Sequence, residues 1–130
     1  MTSERAGATM RTLEEFWSRI GLPPSELPRQ RFNRRRYLPL LDFVDPTPDA
    51  TILDVGAGIG NLCVAMHAPY GGVFHYADFA LPSPAHQESL RSHGVERFFA
   101  VNLADADPFR AMPGGYEWIL FTGVMERVSA

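Results

Sequence analysis

The chain has 130 residues, 45% hydrophobic and 21% charged, with a formal net charge of −3. That balance predicts one soluble globular domain. No apolar run reaches the roughly 18 residues that a membrane helix needs. The single cysteine, Cys63, has no internal disulfide partner. The polar first ten residues lack the layout of a signal peptide, so the expectation is a cytoplasmic protein with no membrane partner.

Charge is divided unevenly. Residues 1–40 carry eight arginines against four acids, and residues 41–130 carry four arginines against eleven acids. The cluster Arg29, Arg31, Arg34, Arg35 and Arg36 is a pattern that can bind phosphate or nucleic acid. The acidic remainder of the chain favours a solvated helix face instead, so nucleic acid is not an expected partner.

In chain order, residues 1–10 read as a disordered tail and residues 11–48 as an N-terminal helical segment. Thr12 is placed to cap a helix whose Leu13, Phe16, Trp17 and Ile20 share one face. Gly21 and Pro23-Pro24 end it. A second helix is predicted from about Pro28 to Val44, with a stripe of Phe32, Tyr37, Leu40, Leu41 and Val44 and a break at Pro39. Residues 45–49 form a turn-rich connector, and an α/β domain occupies 49–130.

Within that domain Thr51–Val55 predicts a strand, residues 59–67 a helix, and Pro69-Tyr70-Gly71-Gly72 a turn. Val73–Ala77 predicts a second strand ending at Asp78, and Pro84 to His93 a helix with Gly94 beyond it. Phe98–Val101 is a third strand, Pro108 to Pro113 a loop or a single helical turn, Gly114-Gly115 a turn, Trp118–Thr122 a fourth strand, and Val124 opens a last helix. This alternation predicts a parallel sheet with helices on both faces.

The informative stretch is Ile52-Leu53-Asp54-Val55-Gly56-Ala57-Gly58-Ile59-Gly60. A buried strand enters a loop with glycines on alternate positions, and a helix follows. Glycine admits backbone conformations and close approaches that a side chain blocks. The helix start offers N–H groups and positive potential, which suit a carboxylate or a phosphate without deciding between them. A dinucleotide fingerprint needs its third glycine at position 61, and position 61 is Asn.

The segment Asp54-x-Gly56-x-Gly58-x-Gly60 resembles the cofactor loop of class I S-adenosylmethionine-dependent methyltransferases. The resemblance covers about residues 50–128 and includes Asp78 at the end of the second strand. It also includes Tyr116-Glu117-Trp118-Ile119-Leu120-Phe121 and Gly123-Val124-Met125-Glu126-Arg127-Val128. Glu117 and Arg127 depart from the family's usual Asp and His.

The resemblance implies a Rossmann-like sheet of order 3-2-1-4-5-7-6, with S-adenosylmethionine as cofactor. Asp54 would receive the cofactor's amino group, directly or through water, and Gly56, Gly58 and Gly60 would admit its backbone approach. Asp78 would accept the ribose hydroxyls. Asn102, with Leu103 beside it, would face the adenine, and Asp105 is second choice. In-line methyl transfer draws on orientation and proximity, so a missing acid–base pair does not count against it.

The sequence ends at Ala130, and the expectation is strands one to four without strands five to seven, leaving an apolar edge at Trp118–Phe121 that invites self-association. Two readings stand. One is a methyltransferase, or its N-terminal portion, acting on an acceptor that no residue names. The other is a non-catalytic cofactor-binding or association module. His67, His75, His86 and His93 lack metal-ligand spacing, and no metal is expected.

Overall fold

Short apolar runs separated by glycine and proline form the strands β1 (Thr51–Val55), β2 (Val73–Asp78), β3 (Val95–Ala100) and β4 (Trp118–Leu120). All three pairings are parallel, and the order is β3-β2-β1-β4. This Rossmann-like α/β arrangement is the one predicted for the first four strands. The computed structural model describes residues 3–44 and 47–121, without the side chains of residues 3, 5, 34–38 and 40. The helix predicted from Val124 and the 123–128 motif lie outside the described residues.

β1 is central and buried on both faces from Ile52 to Val55, which explains its continuous apolar run. β3 lies at an edge and starts at Val95 rather than Phe98, because Val95 and Arg97 pair with Phe74 and His75 of β2, with the exposed Glu96 as the extra residue at a register shift between them. Polar residues there hid the strand from an apolar reading.

The tail prediction is corrected for residues 3–10; residues 1 and 2 lie outside the described residues. Helix α1 spans Ser3–Arg19, and Thr12 donates its hydroxyl to the Ala8 carbonyl at 3.1 Å within the helix instead of capping it. Buried Thr9 continues the stripe of Leu13, Phe16 and Trp17 by one turn, and that polar residue concealed the extension.

Helix α2 spans Leu27–Tyr37 and passes into a 3₁₀ segment, Leu38–Asp42, at the proline-induced break. Phe32 is exposed rather than part of the buried stripe, and Gln30 is buried in its stead. Arg31 pairs with Glu14 of α1 at 2.6 and 3.0 Å, and Arg29 lies 3.9 Å from Glu26. The side chains of Arg34, Arg35 and Arg36 lie outside the described set.

Helix α3 (Asn61–Tyr70) carries Pro69 in its last turn, so residues 69–70 are helix and not turn. Its interior is secured by buried Leu62 through Met66, which confines the proline's disruption to the end. Gly71, with φ 73°, stops it. Helix α4 (Pro84–Arg91) begins at Ser83, whose hydroxyl accepts the His86 N–H at 3.2 Å.

The expectation of helices on both faces is also corrected among the described residues. One face of the sheet, with Ile52, Phe74 and Tyr76, shares a core with α1, α3 and Leu90 of α4. The other face, with Leu53, Val55 and Ala77, packs against Phe99, Leu103, Phe109, Met112 and Tyr116. The segment from 101 to 117 is turn and coil, as Pro108, Pro113 and Gly114-Gly115 prohibit a helix. The Tyr116 hydroxyl closes this layer 2.6 Å from His75 Nδ1.

A polar bridge joins the N-terminal helices to the start of α3. Buried Trp17 donates its indole N–H to Asn61 Oδ1 at 2.8 Å, and Asn61 Nδ2 donates to Gln30 Oε1 at 2.8 Å. Trp17→Phe removes a donor and opens space, and should cost about 2–4 kcal/mol in urea unfolding. Combined with Asn61→Ala, the loss should be smaller than the sum of the two single losses, because the orphaned acceptor is gone.

Candidate functional site

The site begins where β1 ends. Gly56, Gly58 and Gly60 have φ of 76°, 58° and 96°, conformations that disfavour any side chain. The Gly56 and Ala57 N–H groups donate to the Ala77 carbonyl at 2.8 and 3.2 Å, which stitches the loop to β2. Tyr76 adds a hydroxyl bond to the Gly58 carbonyl at 2.5 Å. At Gly60 the constraint is also steric, since a Cβ would lie 2.5 Å from Leu90 Cδ2 on α4.

Asp78 joins the loop to the chain that follows β2. Its Oδ2 accepts the Gly58 N–H and its Oδ1 accepts the Phe79 N–H, both at 2.7 Å. His86 of α4 lies with Nε2 2.7 Å from the Ile59 carbonyl, an arrangement that puts the proton on Nε2. The loop is therefore gripped from β2 and from α4.

Between these grips opens a cavity of about 520 Å³. Gly58 and Ile59 line it from the loop, Tyr76 and Asp78 from β2, His86 from α4, and residues 79–82 from the connector. Phe79 and Leu81 are 74% and 41% exposed. An acidic floor beside an open apolar rim suits a ligand with hydroxyl donors and a flat apolar part.

Asp54 lies beneath the loop and is 1% exposed. Its Oδ2 is 3.4 Å from the Cys63 thiol, which donates, and its Oδ1 has no hydrogen-bond partner. Burial pushes its carboxyl up to about 7; the thiol bond opposes this and the Asp78 charge adds to it. Burial likewise pushes the Cys63 thiol up, so Cys63 stays a protonated donor.

The predicted residues divide into two groups. Asp54, Gly56, Gly58, Gly60 and Asp78 gather around the loop, with Gly58 and Asp78 lining the cavity. Asn102 and Leu103 are not in its lining. Asn102 Oδ1 accepts the Ala104 N–H at 3.0 Å in a local turn, and Leu103 packs on the opposite sheet face. Sequence reading missed Phe79, Leu81 and His86. Two large apolar residues directly after a strand-ending acid were the available signal. Among the described residues no group of three His, Cys, Asp or Glu is arranged to hold a metal ion, and no helix is long and apolar enough to cross a membrane.

No family model matches the sequence. No curated protein matches it either. Among solved structures, the X-ray structure of YjhP from E. coli is similar, with 22% identity and a TM-score of 0.36. The match covers 50% of this chain and 28% of that one, so the chain spans under a third of that protein.

Two outcomes test this geometry. Gly60→Ala should lose about 2–4 kcal/mol in denaturant unfolding, from backbone strain plus the Leu90 clash. Adding Leu90→Ala should relieve only the steric part. The second concerns pH. Because the folded carboxyl of Asp54 is raised, its favourable contribution is present at low pH and is lost as pH rises through about 7. The melting temperature of Asp54→Asn relative to the parent should therefore climb from about pH 5 to about pH 8.

Proposed function

We propose that the chain binds S-adenosylmethionine and forms the cofactor-binding part of a class I methyltransferase. The observation that carries this reading is the Asp78 carboxylate, which is bonded to Gly58 and open to the 520 Å³ cavity. The Asp-x-Gly-x-Gly-x-Gly loop and the acid ending the second strand thus border one space. The order β3-β2-β1-β4 sets that space at the carboxyl ends of β1 and β2, where open α/β sheets take ligands.

The residues suit the chemistry of this cofactor. An ionised carboxylate has about four acceptor positions. Asp78, in the cavity lining, is a carboxylate of the kind that accepts from a ribose diol. The apolar run Phe79-Ala80-Leu81-Pro82 suits the faces of a purine. The buried, unpartnered Oδ1 of Asp54 suits an ammonium group near the loop. Val101 donates its N–H to the Asp78 carbonyl at 2.8 Å, which keeps Asn102 next to that strand end. We assign the purine chiefly to residues 79–82, with Asn102 in a lesser role.

A dinucleotide is a poorer fit. Its diphosphate requires N–H donors from the loop, and those of Gly56, Ala57 and Gly58 already bond to Ala77 and Asp78. S-adenosylmethionine supplies an activated methyl group, and the protein's contribution is to hold and orient it.

Isothermal titration with S-adenosylhomocysteine and with NAD tests the reading. The first should bind and the second should not; binding of NAD alone would overturn it. Asp78→Ala should weaken S-adenosylhomocysteine binding by about 10-fold or more, since charge-assisted bonds are worth roughly 1.5–3 kcal/mol each. Asn102→Ala should weaken it by about 5-fold or less, as a neutral bond is nearer 1 kcal/mol. The reverse ordering would move the ribose acid elsewhere.

A further inference from the structure

Asp54 is a strange residue to bury. Its neighbours across the sheet are Tyr76 on β2 and Leu120 on β4, and neither donates to it. Among the described residues the thiol of Cys63 on α3 is its one hydrogen-bond donor, at 3.4 Å. The other titratable group acting on it is Asp78 of β2, also an acid. No arginine or histidine acts on it among the described residues. An ionised carboxylate here would carry one weak hydrogen bond, one orphaned oxygen and a like charge nearby. A protonated carboxyl carries none of these penalties as heavily.

We propose that Asp54 holds a proton in the free protein and surrenders it when a cationic ligand seats at the glycine loop, so that cofactor binding releases a proton to solvent. This rests on the proposed cofactor site and adds a proton to its binding equilibrium. The ammonium group of the ligand supplies the positive charge that no described residue supplies to Asp54. The proton leaves as H⁺, the carboxylate stays, and no bond of the ligand changes.

Ionising the buried group is unfavourable while its partners are a thiol and another acid. A fixed positive charge within a few ångströms reverses that balance, because the same low-dielectric surroundings strengthen attraction. The elevated carboxyl pKa of about 7 agrees with the geometry. It makes the release largest below about pH 7 and small above it. His86 also lines the cavity, so its contribution must be separated by substitution.

The experiment is calorimetric titration with S-adenosylhomocysteine in two buffers of different ionisation enthalpy, at about pH 6 and about pH 8. The expected result is release of close to one proton per ligand at the lower pH and near zero at the higher. Asp54→Asn should abolish the release, whereas His86→Asn should retain it. Cys63→Ala, which removes the thiol donor that lowers the carboxyl pKa, should carry the release to higher pH. It keeps the test open should Asp54→Asn fail to fold. Binding with no buffer-dependent enthalpy at about pH 6 would overturn this inference alone. No binding of S-adenosylhomocysteine would overturn the cofactor site, and this inference with it.

Discussion

The carboxylate of Asp78 is the joint on which the site depends. It accepts one N–H from Gly58 in the loop and one from Phe79 in the connector, each at 2.7 Å. Bonds to an ionised acceptor are about twice as strong as neutral ones. Two of them at one residue fix the distance between the end of β2 and the middle of the loop. The apolar rim at Phe79–Pro82 is thereby tethered to the same group that floors the cavity.

Around that joint, the helices act as supports. α4 presses Leu90 against Gly60 and sets His86 on the Ile59 carbonyl. α1 and α2 reach the far end of the loop through Trp17, Asn61 and Gln30. Loop, strand end and helix start are therefore over-determined, which is how a glycine-rich segment with several positive φ values stays in one conformation. The arrangement spends most loop N–H groups on the protein itself. The loop therefore has few free donors for a phosphate, whereas the buried Oδ1 of Asp54 is an acceptor with no hydrogen-bond partner.

The sheet order and the glycine loop were legible because their signals are local. A central parallel strand must be apolar throughout, and a loop with three positive-φ positions must be glycine-rich. Asp78 could be found from its position at the end of an apolar run. The start of α1 was hidden by Thr9, a polar residue that is nevertheless buried. β3 was shortened because Glu96 and Arg97 are polar on an exposed edge. His86 was missed for a different reason. Its place at the cavity depends on contact with Ile59 across 27 positions of sequence, and no local pattern encodes that. Asn102 Oδ1 is engaged by the Ala104 N–H of its own turn, a contact that the sequence position alone does not show.

The central claim is that the glycine loop and the connector after β2 bind one ligand as a unit. Amide hydrogen exchange with and without S-adenosylhomocysteine tests it most directly. The account predicts that exchange slows together at residues 56–60 and 79–86, while the Phe99–Tyr116 layer on the other sheet face is unchanged. Slowed exchange in that layer, with the loop and the connector unaffected, would contradict it.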